Sequence, residues 1–402
     1  MNPLMLLALW LASLLQTLDA PDPHEVARLR AQGPPALDRL LAQYDALPNC
    51  AEKDALERTI DAVAAQRYAT VSRLYWYTDL DKAQAAARAS GKPILSLRML
   101  GRLDEDLSCA NSRLFRVVLY ADEDLSAFLR ESFVLHWSSE RPVPHVTIDF
   151  GDGRKIETTV TGNSAHYVLD AEGRPLDVLP GLYSAVAFRR ELEAVLPLAR
   201  ESAGLSDAAR LQRVRAYHTS RSLASAQMWA ASGAPVRVTI APRVGVVEAE
   251  TRTISKSRGE TPLVLGAGLG SVPIDSLVRT WRAGELSVWR LDEARLGSAA
   301  CALIVRLAPM DWGVPAEPVR GEALDERIQA LEAMVAADTE LAELSLHSRV
   351  HRWFISLPAV PTFATLNERV YRELFLTPAA DPWLGLSSAG VITGLPRDGI
   401  VR

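Results

Sequence analysis

A cysteine in an acidic stretch, LDEDLSCANSR, is the residue best suited to chemistry. Cys109 stands at the first turn of a predicted helix, where unpaired backbone N–H groups and the helix dipole stabilise a thiolate over a thiol. Arg113 would add to this effect, whereas the three acidic residues at 104–106 oppose it. The alternative is a cysteine that packs or is merely exposed.

A histidine pair is the second candidate. His347 and His351 are four residues apart in LHSRVHRWF, so they share one face of a helix, as a metal pair requires. No Glu lies between them, and the spacing identifies no third ligand. The pattern therefore favours a solvated or helix-packing pair, and we predict no metal site and no cofactor.

The elements that would position Cys109 follow from hydrophobic periodicity. A helical pattern ends near Gly91 and is followed by a buried strand from Ile94 to Leu100. After the loop that carries Cys109, a helix is predicted over 112–133 and a strand from Phe133 to Trp137. A hairpin with a tight turn at Asp152-Gly153, two strands joined at Glu172-Gly173 and a helix over 184–196 complete this region.

The order strand, helix, strand, hairpin and terminal helix is of the thioredoxin type. The motif A…ASGKPIL, a cysteine at the next helix start and G-x-S-x-x-x-V-L-D-x-x-G resemble the thioredoxin-like superfamily over residues 71–200. Ser164 stands where that superfamily places its cis-proline. More narrowly, LYWYTDLDKA, SCANSR, TIDFGDGR and ELFLTPAADPWLGL resemble a group of uncharacterised bacterial proteins.

This resemblance implies thiol-disulfide exchange. In thioredoxin-like proteins the first cysteine of C-x-x-C attacks a disulfide and the second releases the mixed disulfide. Here the motif is CxxS: Cys109 would attack, and Ser112 occupies the resolving position, so release needs an external thiol such as glutathione. Ser164 and His166 would lie on the substrate side. His166 would serve there as a base or soft-metal partner, or else be a satisfied core residue.

Composition limits the classes of partner. The chain has 402 residues, 48% of them hydrophobic, and a formal net charge of −5, which is typical of a folded globular protein and does not favour nucleic acid. Three cysteines, Cys50, Cys109 and Cys301, are too few for a disulfide scaffold. Cys50 and Cys301 could pair in an oxidising compartment, but we expect both to pack as small buried hydrophobes.

The chain divides by pattern into four segments. Residues 1–20 form a possible signal peptide or anchor, 21–70 a helical arm, 71–200 the thioredoxin-like domain and 201–402 a mainly helical C-terminal domain with a possible strand pair at 234–254. The N-terminal apolar run has the length of a signal-peptide core and favours an exported or periplasmic protein. It lacks a preceding Lys or Arg, so a buried first helix in a cytoplasmic protein is the alternative.

The predicted fold class is therefore α/β, and two functions remain. One is a non-catalytic interaction scaffold for a protein or peptide partner, since a fold does not establish a chemistry. The other is a monothiol oxidoreductase or isomerase that acts through Cys109, with a disulfide-bearing protein as its partner. The long loop over 101–108 and the serine in place of the proline favour the scaffold. Membrane contact is expected only through the N-terminal segment.

Overall fold

The computed structural model of the chain describes residues 21–159, 162–231, 289–307, 310–311 and 317–384. The N-terminal apolar run and the predicted strand pair at 234–254 lie outside the described residues. Among the residues that are described, no helix has the length and apolar character needed to cross a membrane.

The segment ahead of the sheet is helical. Its helices are α1 (Pro23–Arg30), α2 (Pro34–Ala46), α3 (Ala51–Ala64) and α4 (Ala69–Ser72). Leu37, Ile60 and Tyr75 belong to an apolar cluster of this segment, which is separate from the main core. The Arg30 guanidinium donates to the carbonyl oxygens of Val63 and Trp76, at 2.7 and 3.0 Å, and so fastens α1 to the chain that leads into the sheet.

A four-stranded mixed sheet lies at the centre of the chain. Its strands are β1 (Ile94–Leu100), β2 (Val134–Arg141), β5 (Ala165–Leu169) and β6 (Pro175–Pro180). The order is β2-β1-β5-β6, with β2 parallel to β1 and with β5 and β6 each antiparallel to the preceding neighbour. The strands predicted at 94–100 and 133–137 and the first of the two strands joined at Glu172-Gly173 are thus confirmed as strands, and all three lie in this one sheet.

Helices cover the sheet, which explains why six of the seven residues of β1 are buried. α5 (Leu80–Ser90) begins where the Asp79 carboxylate accepts from backbone N–H groups and ends at Gly91, whose φ of +70° suits a residue without a side chain. α8 (Ala185–Glu201) follows β6 and begins at Ser184, whose hydroxyl accepts from Ala187 N–H.

The predicted single helix over 112–133 is wrong. Two helices occupy this region: α6 (Ala110–Leu114), which continues as a π-helical turn over Phe115–Leu119, and α7 (Glu123–Ser132). The break arises because the Asp122 carboxylate accepts the N–H of Leu125, which makes Asp122 the start of a new helix.

The polar hairpin forms a separate two-stranded sheet of β3 (His145–Asp149) and β4 (Lys155–Thr159). Its loop spans Phe150–Arg154 and is therefore longer than the tight turn predicted at Asp152-Gly153. Gly151 and Gly153 both have positive φ, at 76° and 97°, so the loop uses the freedom of both glycines.

The C-terminal half is mainly helical in its described residues. It contains α9 (Asp207–Ala231), α10 (Trp289–Glu293), α11 (Ser298–Leu307), the strand pair β7 (Met310–Asp311) and β8 (Glu317–Pro318), α12 (Glu322–Leu341), α13 (Ser348–Ser356) and α14 (Phe363–Arg369); π-helical turns follow α12 over Ala342–His347 and α14 over Val370–Leu374. Leu97 and Val178 of the sheet share one apolar core with Val335 and Phe354 of these helices. The protein is therefore mixed α/β, and the C-terminal helices complete the core of the sheet.

The two remaining cysteines differ from expectation. Cys50 and Cys301 are free thiols and are partly exposed. The prediction that they are buried hydrophobes is therefore wrong, and they do not pair with each other.

Candidate functional site

Cys109 lies where a strand ends and a helix begins. Its backbone N–H donates to the carbonyl oxygen of Leu100, the last residue of β1, at 3.2 Å. Cys109 is also the residue that caps the start of α6. The loop over 101–108 therefore returns the chain to the end of β1, and its length does not remove the cysteine from the junction.

A buried arginine holds that loop in place. Arg116 is 2% exposed, and its guanidinium donates to the carbonyl oxygens of Leu103, Glu105 and Asp106 and to Ser108 Oγ. Burial lowers the pKa of Arg116 from its ordinary value. The loop thus closes around a cation bound by backbone oxygens, which explains how an acidic stretch packs against the core.

The acidic side chains of the loop are paired with arginines. Asp104 lies 2.8 Å from Arg102, and Asp106 lies 2.8 Å from Arg67. Arg113 donates to the Ser108 carbonyl oxygen at 3.2 Å and to Thr159 Oγ1 at 3.1 Å. These pairings offset the carboxylates that would oppose a thiolate, while Arg113 fastens the helix to the loop and to β4.

The sulfur of Cys109 is enclosed by hydroxyl groups. Its Sγ lies 3.0 Å from Ser164 Oγ and 3.4 Å from Ser112 Oγ. All three residues are 0% exposed. Ser112 Oγ also lies 2.7 Å from Ser108 Oγ and 2.8 Å from the Cys109 carbonyl oxygen. The structure therefore brings together Cys109, Ser112 and Ser164, three of the four predicted site residues.

His166, the fourth, lies in an aromatic layer on β5. Its Nε2 is 2.7 Å from the Tyr120 hydroxyl, and its ring packs against Phe115 and Phe188 with centroids 4.7 Å away in each case. Burial lowers the pKa of His166 to about 3. The imidazole is therefore neutral at physiological pH, as in a core residue.

The C-terminal segment covers the edge beside Ser164. The Tyr371 hydroxyl donates to the Asn163 carbonyl oxygen at 3.2 Å, and Asn163 Nδ2 donates to Thr377 Oγ1 at 3.1 Å. On β2, two strands away in the sheet, Arg141 Nη1 donates to the Asp381 carbonyl oxygen at 2.7 Å. The carbonyl oxygen and the side chain of Asn163, just before Ser164, are thus both bonded by C-terminal side chains of this chain.

This arrangement supports a hydrogen-bonded, enclosed thiol. Ser112 can donate or accept a hydrogen bond, but its hydroxyl cannot form a disulfide with Cys109. A disulfide substrate would reach the sulfur only after part of the surrounding chain has moved, because the sulfur itself has no exposed surface.

The predicted histidine pair lies elsewhere and is not solvated. His347 and His351 are each 2% exposed, and His347 Nε2 lies 2.9 Å from the carboxylate of Asp177 on β6. The prediction of a solvated pair is therefore wrong. The alternative, a pair that packs between helices, did not include Asp177 or a third histidine, His218, which the fold places next to the pair.

No protein-family model matches the chain, and the comparisons with curated proteins and with solved structures likewise return no significant match. The case for a function therefore depends on the residues and geometry described above.

Sequence reasoning missed the residues that hold the loop before Cys109 and the chain before Ser164. Arg116, Asn163, Tyr371 and Thr377 carry no motif, and two of them are more than 200 positions from Cys109 in the chain. The one available signal was the stretch ELFLTPA, an apolar segment near the end of the chain that needs a surface to cover.

Proposed function

We propose that this chain is a thioredoxin-like protein that acts as a non-catalytic interaction scaffold for a protein or peptide partner. The strand order β2-β1-β5-β6, with one parallel and two antiparallel neighbours, and a cysteine at the helix start after β1 support a thioredoxin-like arrangement. Residues 71–200, which carry the resemblance, contain all four strands of this sheet.

One observation carries the non-catalytic part of the proposal. Cys109 has no exposed surface, and the carbonyl oxygen of Asn163, just before Ser164, accepts a hydrogen bond from the Tyr371 hydroxyl. The Asn163 side chain in turn donates to Thr377 Oγ1. In a thioredoxin-type enzyme, that edge would present backbone groups to an extended substrate peptide. Here a side chain of the C-terminal segment occupies the position of such a peptide, so a partner would bind to other surfaces of the protein.

The monothiol oxidoreductase is the alternative, favoured by the contact of 3.0 Å between Cys109 Sγ and Ser164 Oγ. In that function the Cys109 thiolate would attack one sulfur of a disulfide, form a mixed disulfide and release the other sulfur as a thiolate. An external thiol would then free Cys109, because Ser112 has no sulfur with which to do so.

The two proposals are distinguished by alkylation of the native protein with iodoacetamide, followed by mass spectrometry of each cysteine. Cys50 and Cys301 are partly exposed and act as internal controls. We expect both to be modified in the native protein, and Cys109 only after denaturation. Rapid modification of native Cys109 would contradict the scaffold proposal.

Partner recovery provides the second arm of the test. In the cells that make the protein, tagged wild-type chain and the C109A variant should retain the same partners, and a reductant should not release them. A mixed-disulfide enzyme would instead lose its partners in C109A and on reduction. The same measurement with C301A controls for the loss of a cysteine as such.

A further inference from the structure

A cluster of imidazole and carboxylate groups is buried between the sheet and the C-terminal helices. Asp177 lies on β6, His218 on α9, His347 in the π-helical turn after α12, and His351 on α13. Asp177 and His218 are 0% exposed, and the other two are 2% exposed. Four such groups, from three distant parts of the sequence, share a space from which bulk water is excluded.

Three of these residues place ligand atoms close together. One atom each of Asp177, His218 and His351 lies within 4.8 Å of the others, and the two Nδ1 atoms are 2.8 Å apart. Two imidazole nitrogens on one tetrahedral Zn²⁺, at Zn–N distances near 2.0–2.1 Å, are about 3.3 Å apart. To admit the ion, the rings would need to separate by only about half an ångström, and the proton that His351 Nδ1 shares with His218 Nδ1 would move to His351 Nε2 or be released to solvent.

The hydrogen bonding of His218 prepares its Nδ1 to be a ligand. Its Nε2 lies 3.0 Å from the carbonyl oxygen of Leu176, which can only accept, so Nε2 carries the proton. In the neutral ring the lone pair is then on Nδ1, which faces His351. A histidine that donates one N–H to a backbone carbonyl and aims its other nitrogen inward is the arrangement typical of a metal ligand.

The donor set suits a metal. Asp177 offers a carboxylate oxygen, and His218 and His351 each offer one imidazole nitrogen. Two imidazoles and one carboxylate form a donor set that binds zinc.

Outer partners orient the carboxylate. His347 Nε2 lies 2.9 Å from Asp177 Oδ1, and the Tyr217 hydroxyl donates to Oδ2 at 2.8 Å. The Val178 N–H donates to Oδ1 at 2.7 Å. Such contacts fix the position of a ligating carboxylate before any metal arrives.

We propose that Asp177, His218 and His351 form a binding site for a divalent transition-metal ion of the Zn²⁺ class. The imidazole donors exclude Mg²⁺ and Ca²⁺, which prefer oxygen ligands. The ion would join β6 to α9 and α13, and so tie the sheet to the C-terminal helices. This site is independent of Cys109 and of the scaffold proposal.

Metal binding to the full-length wild-type protein is the primary test, and it requires no variant. The protein is unfolded with a chelator, refolded without metal, and then incubated with Zn²⁺, with Co²⁺ as a spectroscopic probe, or with Mg²⁺. We expect about one equivalent of Zn²⁺ to stay bound through gel filtration, a higher Tm with Zn²⁺ but not with Mg²⁺, and the visible absorption bands of tetrahedral Co²⁺. Folded protein that retains no Zn²⁺ and gives no Co²⁺ bands would overturn the proposal.

Variants assign the ligands. H218A and H351A should each lose the Co²⁺ bands and weaken Zn²⁺ binding by more than the roughly ten- to hundredfold loss expected from removal of an outer partner, while H347Q should show that smaller loss. H145A, at an exposed position on β3, is the matched control and should bind as the wild type does. C109A should also bind normally. Zn²⁺ that stays bound in both H218A and H351A, or that is lost in C109A, would place the ion elsewhere.

Discussion

The fold buries His166 as a neutral imidazole, and the unfolding free energy should therefore fall as the pH is lowered. The pKa of His166 is lowered from 6.5 to about 3 by burial, whereas the unfolded chain binds the proton near the ordinary value. As the pH falls, the unfolded state therefore gains a proton before the folded state does. The contribution to folding is complete above pH 6.5 and is lost progressively as the pH falls towards 3.

The size of this effect follows from the shift. A pH of 5 is 1.5 units below the pKa of 6.5, so the imidazole is mostly protonated in the unfolded chain. In the folded protein it is still neutral at this pH. At about 1.36 kcal/mol per unit, His166 alone accounts for a loss of about 2 kcal/mol of unfolding free energy between pH 8 and pH 5. The variant H166L should lose about 2 kcal/mol less than the wild type over this interval.

Urea unfolding of both chains at pH 8 and pH 5, followed by circular dichroism, measures this difference. H166L also leaves the Tyr120 hydroxyl without its partner, which costs about 1–3 kcal/mol at both pH values and so cancels in the comparison. H145L, at an exposed position, should show the pH dependence of the wild type. Equal pH dependence in H166L and wild type would refute the reasoning, since His166 would then not be kept neutral by the fold.

Three further substitutions test the loop before Cys109, a buried ion pair and the end of α5. Arg116→Met removes the cation that binds the loop carbonyls. If this lowers the free energy of loop opening by about 1.4 kcal/mol, the alkylation rate of Cys109 in the native protein should rise about tenfold. An unchanged rate would show that the loop does not enclose the sulfur. Asp170→Ala leaves the 1% exposed guanidinium of Arg210 without its partner at 2.6 Å, and should lower the unfolding free energy by about 3–5 kcal/mol in urea denaturation. Gly91→Ala places a side chain at φ +70° with no atom within 4 Å, so strain alone should cost about 1 kcal/mol, and a larger loss would indicate a steric conflict.

The sheet could be predicted from sequence because its strands are short apolar runs bounded by turn residues. The runs at 94–100 and 165–169 are buried on both faces, and their length decided between strand and helix. The helix over 112–133 could not be divided correctly, because the apolar pattern continues across the break. The division depends on whether Asp122 caps a helix or merely faces solvent, and periodicity does not contain that information.

The sequence alone determined which residues could meet at the end of β1. Cys109 and Ser112 lie three positions apart at a helix start, so local geometry brings them together. Ser164, 55 positions from Cys109, was indicated by the resemblance, and its contact with the sulfur depends on the pairing of β1 with β5. Only the tertiary structure decided that this site is closed. The covering residue Tyr371 and the neutral state of His166 both depend on packing between distant segments. The same reason applies to Asp177 and the histidines: a ligand set is defined by distances in space, and a chain position sets such distances only between near neighbours in sequence.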